Sequence, residues 1–562
     1  MTRIDISKKR IILMSLFLFT FIIGTVLIFN TPIGIKSTYG KTIETSDGVT
    51  ISFNVFEPKN GGSNKRAIIL GHGVMSNKEM LNGYAIEFAA AGFVAIPFDF
   101  RGHGQSTGDH RSGSLTNDIH AIISYLESRP DIDTSNLGYL GYSMGGVGLQ
   151  VVNESTNFKC FIGTATWFPK NIRKGNSTAP LNILMILGRN DELLTPEDLK
   201  EGLSDYTGIL ASDLDVNKLY GSFQNGNASM IYLDDLSNHA IGCWDPDFIR
   251  EARDFLISSF PDVKPVDENF FTNIRLFILF LQLFGGFGFF FLIVEPLSKL
   301  ILKKKEEEVF KLELENDSII TIGGKTIASS LVFGLPGILI FVPILLVLYL
   351  AIAGFMSALL FGQAFGILIL LWRIGKKRNL GLIETIKKPF KISRSNLIRQ
   401  FLLGAVLAVI FALIIYLSGG LNYIGMVPSL PKLAWVPLFF IINFIIFMIY
   451  GLMTHGILQN KFEKGLKPLI KVSFMIFGIF FLYFFTILFI FGLITRSFFY
   501  FGNFIPLAIP LFLLNAFLST LIYDKSGNII AGALVNTLFF TLFICTISPY
   551  QSGLSFIMGF LH

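Results

Sequence analysis

The stretch Leu137-Gly138-Tyr139-Leu140-Gly141-Tyr142-Ser143-Met144-Gly145-Gly146 decides the fold. Leu137–Leu140 reads as a short buried strand. It runs straight into G-x-S-x-G, and a helical pattern begins at Gly146. In that context the serine stands on a strained strand-to-helix bend with its hydroxyl exposed, and bulky residues on either side would clash. The same letters also fit a glycine-rich turn without chemistry, so the surrounding chain has to choose.

The surroundings alternate. A hairpin is expected over 41–57 with Asp47-Gly48 at its turn. Buried-type strands follow at 67–70, 93–97, 160–165, 183–187 and 230–233, with helical patterns between them, as at 80–91 and 118–129. Such alternation implies a mostly parallel sheet covered on both faces.

Three further segments join the serine: Leu70-Gly71-His72-Gly73-Val74, Phe98-Asp99-Phe100-Arg101-Gly102-His103-Gly104-Gln105-Ser106, and Gly188-Arg189-Asn190-Asp191-Glu192. With Gly141–Gly146 they resemble the α/β-hydrolase superfamily, nearest to its monoglyceride-lipase and serine-aminopeptidase group, over about 41–260. The resemblance implies roles. Ser143 matches the nucleophile, and the backbone N–H groups of Met144 and Val74 match the oxyanion donors. The family gap after the glycine selects Asp191 as the acid, with Glu192 as its rival. His239 matches the base, and no other histidine lies between Asp191 and Arg253. The order Ser, Asp, His is the one this fold uses. His72 and His103 are expected to shape turns. Trp167, Phe168 and Trp244 follow strand ends near the triad, either lining an apolar pocket or packing the core. Residues 195–228 exceed a minimal loop and suggest a small cap. Its carboxylates Glu197, Asp198, Glu201, Asp205, Asp213 and Asp215 form either a solvated face or a site for a cationic group.

The rest of the chain is of another kind. Of the 562 residues, 52% are hydrophobic and 15% charged, against roughly a quarter charged in soluble proteins. The deficit falls at Ile11–Phe29 and beyond residue 270. Apolar runs long enough to cross a bilayer lie near 274–294, 327–349, 352–372, 400–417, 434–454, 472–494, 501–522 and 528–549. We therefore divide the chain into an anchor at 1–30, a hydrolase domain at 31–268 and a polytopic helical domain at 269–562, with about eight helices. Ile11–Phe29 is too long for a cleaved signal core and lacks a small-residue cleavage site.

The net charge of +6 sits beside apolar segments, in Lys8-Lys9-Arg10, Lys303-Lys304-Lys305, Lys376-Lys377-Arg378 and the lysines at 461, 464, 467 and 471. That is positive-inside patterning rather than a nucleic-acid footprint. It places residues 31–268 outside the cytoplasm. The mixed-charge stretch Lys303–Lys311 reads as a solvated cytoplasmic segment. Asn443, Asn515, Asn536 and Gln363 are the main polar groups inside the apolar part, and interhelical bonding is their ordinary use. Gly527-Asn528-Ile529 with Asn536 faintly resembles one motif of the CAAX-type intramembrane proteases. The paired glutamates of those enzymes are absent, which sets that activity aside.

Cysteines 160, 243 and 545 offer no disulfide framework. No phosphate loop, metal cluster or nucleotide fingerprint is present, and a serine esterase or lipase acting on acyl esters needs no cofactor. Three alternatives remain open: a serine aminopeptidase, an acyltransferase to an alcohol acceptor, and a transporter or lipid-binding membrane module carrying a degenerate hydrolase domain. The expected partners are an acyl-ester substrate and membrane lipids.

Overall fold

A computed structural model describes residues 7–60, 62–302, 310–312, 317–496 and 498–558. Lys303–Lys305, and the mixed-charge stretch from Lys303 apart from 310–311, lie outside these residues.

An eight-stranded sheet carries the soluble part, in the order β1-β2-β4-β3-β5-β6-β7-β8. The strands are β1 (Ile35–Glu44), β2 (Thr50–Pro58), β3 (Lys65–Gly71), β4 (Val94–Phe98), β5 (Ile132–Tyr142), β6 (Phe158–Thr164), β7 (Asn182–Gly188) and β8 (Ser229–Asp234). β1 and β2 form the expected antiparallel hairpin, and β2 also runs antiparallel to β4. From β4 to β8 every neighbouring pair is parallel. The inner strands are apolar on both faces because helices cover both. Ile69, Tyr139, Phe161 and Met185 belong to one core layer, and Ile68, Leu140, Ile162 and Leu184 to the other. This is the α/β-hydrolase fold.

The flanking helices begin where the sequence supplies caps. Ser114 caps Leu115–Glu127 through its hydroxyl, and Asp245 caps Pro246–Ser259, which has proline in its first turn.

Among the described residues, nine helices are long and apolar enough to cross a membrane. They begin with Lys8–Asn30 and, after the sheet, run from Thr272–Leu302 to Ile530–Ile547. Their polar groups bond between helices. Ser357 Oγ donates to Asn443 Oδ1 (3.1 Å), Asn443 Nδ2 donates to Thr541 Oγ1 (3.1 Å), and Gln363 Nε2 donates to the Ile479 carbonyl (3.2 Å). Arg10 pairs with Glu295 at 2.7 Å at the helix ends far from the sheet.

The sheet is docked on this bundle by its carboxyl edge. Helix Arg394–Ile415 continues into a π-helical turn, Tyr416–Ile424, and a helix C-terminus leaves carbonyls without intrahelical donors. Side chains of the hydrolase domain supply donors. Asn82 Nδ2 bonds the Leu421 carbonyl (3.0 Å), Trp244 Nε1 that of Tyr423 (2.9 Å) and Asn77 Nδ2 that of Ile424 (2.6 Å). The loop after β4 adds backbone bonds: Tyr550 N–H to the Gly102 carbonyl (2.7 Å), His110 N–H to that of Tyr550 (3.0 Å) and Ser429 N–H to that of Gly104 (3.1 Å). Met75, in the loop after β3, packs against the bundle's apolar core. The hydrolase domain is thus bonded to the bundle through several of its loops as well as joined to it through the chain.

Candidate active site

Ser143 stands at the end of β5, with φ of +50°. This left-handed conformation is costly for a non-glycine residue and persists only where the surroundings enforce it. The enforcement is steric. A Cβ on Gly145 would overlap the Gly71 carbonyl, and one on Gly141 would lie 2.6 Å from the Gly145 carbonyl. Only a chain bare at both positions lets the β5 turn nest against the end of β3. Ser143–Val147 forms a 3-10 turn and Gly148–Glu154 the helix after it, so the helical pattern read from Gly146 opens with the tighter form.

Three sequence-chosen residues meet there. His239 Nε2 lies 3.0 Å from Ser143 Oγ, and His239 Nδ1 lies 2.9 Å from Asp191 Oδ2. Asp191 Oδ1 is occupied separately, accepting the N–H groups of Leu193 (2.9 Å) and Leu194 (3.0 Å). Both oxygens are thus committed, and the Asp191 side chain is fully buried. Glu192, the rival carboxylate, does not reach the imidazole. It accepts the His239 backbone N–H at Oε2 (3.3 Å), and burial pushes its carboxyl up.

Met144 is the second residue of the Ser143–Val147 turn, where the N–H groups of a helical start lack internal partners. Across from it runs His72-Gly73-Val74; a Cβ on Gly73 would lie 3.1 Å from Ser143 Cβ. Val74 is therefore the next residue past the point of closest approach.

His72 and His103 sit behind this turn, as turn-shaping residues would. His72 accepts the Phe100 N–H at Nε2 (3.1 Å), and its Nδ1 lies 2.7 Å from the Gly73 carbonyl. Burial pulls the imidazole down to about 4 against the pull of Asp99, so it stays neutral with its proton on Nδ1. Lys78 Nζ bonds Asp99 Oδ2 (2.7 Å), and Asp99 Oδ1 accepts the Lys78 N–H (2.7 Å), tying the loop after β3 to the loop after β4.

A groove of about 520 Å³ opens beside Ser143, lined by Met144, Val147, Thr166, Trp167, Pro169 and Ile172 among others. That volume suits a small organic group. The three aromatic residues divide. Trp167 lines the groove, half exposed; Phe168 is buried in the core against Tyr206; Trp244 serves the dock.

Residues 195–228 contribute nothing to the described lining of this groove. Leu199, Leu203 and Tyr206 of helix Pro196–Thr207 pack into the sheet's core instead. Their carboxylates are largely engaged: Asp198 closes a capping box with Thr195, Asp205 accepts the Asn171 N–H (2.7 Å), and Glu201 and Asp215 pair with Lys170 and Lys218 (both 2.8 Å). The apolar face of Pro196–Thr207 thus packs on the sheet, and most of these carboxylates bond to neighbouring side chains or backbone, Lys170 and Asn171 among them.

Sequence reasoning missed Met75, Asn77 and Asn82, which face the helical bundle beside the site. No spacing signal marks them.

Residues 62–201 match the family described as serine aminopeptidase, S33. An uncharacterized Escherichia coli protein from the traX-finO intergenic region is 36% identical over 107 residues, which cover 18% of this chain and 36% of that one. The quorum-quenching protein AidA of Acinetobacter baumannii is 26% identical over 126 residues, 22% of this chain and 41% of its own. The chain thus spans well under half the length of these relatives. A Pyrococcus furiosus esterase structure is similar at 18% identity, covering 40% of this chain and 94% of that one, with a TM-score of 0.32. The soluble part has the α/β-hydrolase fold, matches the serine aminopeptidase family over 62–201, and is joined to a bundle of long apolar helices.

Proposed function

We propose that the chain is a membrane-anchored serine hydrolase that cleaves acyl esters through an acyl-enzyme on the extracytoplasmic side. One observation carries this reading: the unbroken hydrogen-bonded line from Ser143 Oγ through His239 to the buried Asp191.

In the mechanism, His239 Nε2 takes the Ser143 proton as Oγ attacks the ester carbonyl. Asp191 holds Nδ1–H and thereby fixes the tautomer whose Nε2 is free to accept. The Met144 and Val74 N–H groups receive the oxyanion, each worth about 3 kcal/mol in comparable sites. His239 then returns the proton to the leaving alcohol. Water, activated by the same imidazole, releases the acid and restores Ser143. No cofactor enters any step. The groove lined by Val147, Trp167 and Ile172 suits the acyl portion.

The loop charges support the orientation. Arg10, Lys376–Arg378 and Lys461–Lys471 lie at helix ends away from the sheet, and short Lys/Arg-rich loops mark the cytoplasmic side. Lipid-like or membrane-proximal esters follow from the carboxyl edge lying against the bundle, since substrate must reach Ser143 close to the bilayer.

The test is fluorophosphonate labelling of the full chain beside a panel of ester and aminoacyl-amide substrates. Ser143→Ala should lose all labelling and ester turnover while still inserting in the membrane. Labelling that survives in that variant overturns the nucleophile. Turnover of the amides and not the esters overturns the substrate class. Digestion of residues 31–268 by protease only after permeabilising intact cells overturns the orientation.

A further inference from the structure

Glu192 has no part in the triad, yet it is half buried beside it. Burial of a carboxylate costs free energy unless something is gained. Three groups face it. Asp191 precedes it in the chain, His239 gives it a backbone N–H (3.3 Å), and Tyr142 stands near enough for their charges to interact. The Tyr142 hydroxyl in turn donates to the His239 carbonyl. The peptide groups on both sides of the base are therefore gripped, one by Glu192 and one by Tyr142.

The far side of Glu192 rests on the membrane bundle. A Cβ placed on Gly502 would overlap Oε1, Cδ and Cγ of Glu192. Gly502 lies in the first turn of the apolar helix Phe499–Ser526, where its N–H bonds the Phe498 carbonyl (2.8 Å). A side chain at this position would push the Glu192 carboxyl end from its seat. On the opposite side of Ser143, Met75, next to Val74, also leans on the bundle.

We infer that Gly502 and Glu192 are positioning residues for the proposed reaction. The membrane helix seats Glu192, and Glu192 holds His239 in line between Ser143 and Asp191. The bundle is on this account a working part of the active site rather than an anchor. A shift of His239 by about 1 Å can cost up to ~10²-fold in rate, because nucleophile and base must keep hydrogen-bond register.

The inference rests on the serine-hydrolase reading, and its test keeps the two apart. Full-length protein in nanodiscs is assayed for kcat and KM on a soluble p-nitrophenyl butyrate, with fluorophosphonate labelling run to completion as a count of intact sites. Glu192→Ala and Gly502→Ala should each lower kcat roughly tenfold or more, with KM within about twofold and full final labelling. Glu192→Gln keeps an acceptor oxygen for the His239 N–H and should restore most of kcat. The double variant Glu192→Ala/Gly502→Ala should be no worse than Glu192→Ala. Alanine is a better helix former than glycine by about 1 kcal/mol, so a loss in Gly502→Ala does not come from helix unfolding. Gly478→Ala, whose Cβ would meet open space, is the control in a neighbouring helix. Wild-type kcat in Gly502→Ala, or a loss that multiplies with that of Glu192→Ala, overturns the inference and leaves the serine-hydrolase reading standing. A wild-type protein that neither labels nor turns over ester overturns both.

Discussion

Asp191→Asn should abolish most activity by locking the wrong tautomer of His239, and the geometry says why the side chain cannot evade this. Oδ1 of Asp191 accepts two backbone N–H groups, from Leu193 and Leu194, at 2.9 and 3.0 Å. An asparagine amide must turn its oxygen toward those two donors, since its NH2 would clash with them. The NH2 then faces His239 Nδ1, where Asp191 Oδ2 now lies at 2.9 Å. Two donors cannot share that bond, so Nδ1 gives up its proton and Nε2 keeps one. Nε2, 3.0 Å from Ser143 Oγ, becomes a donor and can no longer take the serine proton. The same change in a well-studied triad lowers kcat by about 10⁴, equivalent to about 5 kcal/mol of transition-state stabilisation. Steady-state ester hydrolysis would read the loss, and the initial rate of fluorophosphonate labelling should fall with it. Glu192→Gln should cost less than about tenfold, since it touches only the backbone of His239. Asp191→Asn within tenfold of wild type, or a larger loss in Glu192→Gln, would refute the tautomer argument.

Two further outcomes bear on stability. Burial holds His72 at about 4, with Asp99 opposing, and burial followed by Arg111 holds His110 at about 4. Each lies below the ordinary 6.5, so the unfolded chain binds more protons between these values. Stability should be complete above pH ~6.5 and decline as pH falls toward ~4, by about 3 kcal/mol for fully buried His72. A melting midpoint flat from pH 7 to 4.5 contradicts this. Asn82→Ala and Trp244→Phe each strip the donor from a carbonyl of the 416–424 turn, at about 1–3 kcal/mol apiece. An unchanged thermal midpoint in both variants would mean that the dock contributes nothing to stability.

The elbow was legible because its constraint is local. Strand, bare glycines and helix must follow one another within ten residues, and nothing distant has to be known. Asp191 and His239 were legible only through order and spacing after strands, which resemblance supplied; the letters of Asp191-Glu192 do not by themselves say which carboxylate meets the imidazole. The dock was illegible. Asn77, Asn82 and Trp244 look like ordinary polar and aromatic positions, because their partners are backbone carbonyls more than 170 residues away, and a carbonyl has no sequence signature. The packing of 195–228 was illegible for a related reason. Length marks an insertion, but which face of Pro196–Thr207 is used depends on the apolar surface the sheet offers to Leu199 and Leu203.

The three side-chain donors on the 416–424 turn have a consequence for how the protein is made. Domains fold as units, the N-terminal one first, while the rest of the chain is still being synthesised. In the proposed orientation, residues 31–268 have crossed the membrane and can fold before Tyr416–Ile424 leaves the ribosome. The end of that helix then emerges to find its donors already in place. A hydrolase domain that arrives misfolded leaves those carbonyls bare at the membrane surface, a defect that quality-control machinery can sense. In that orientation the hydrolase domain is a preformed seat for the end of a helix made later.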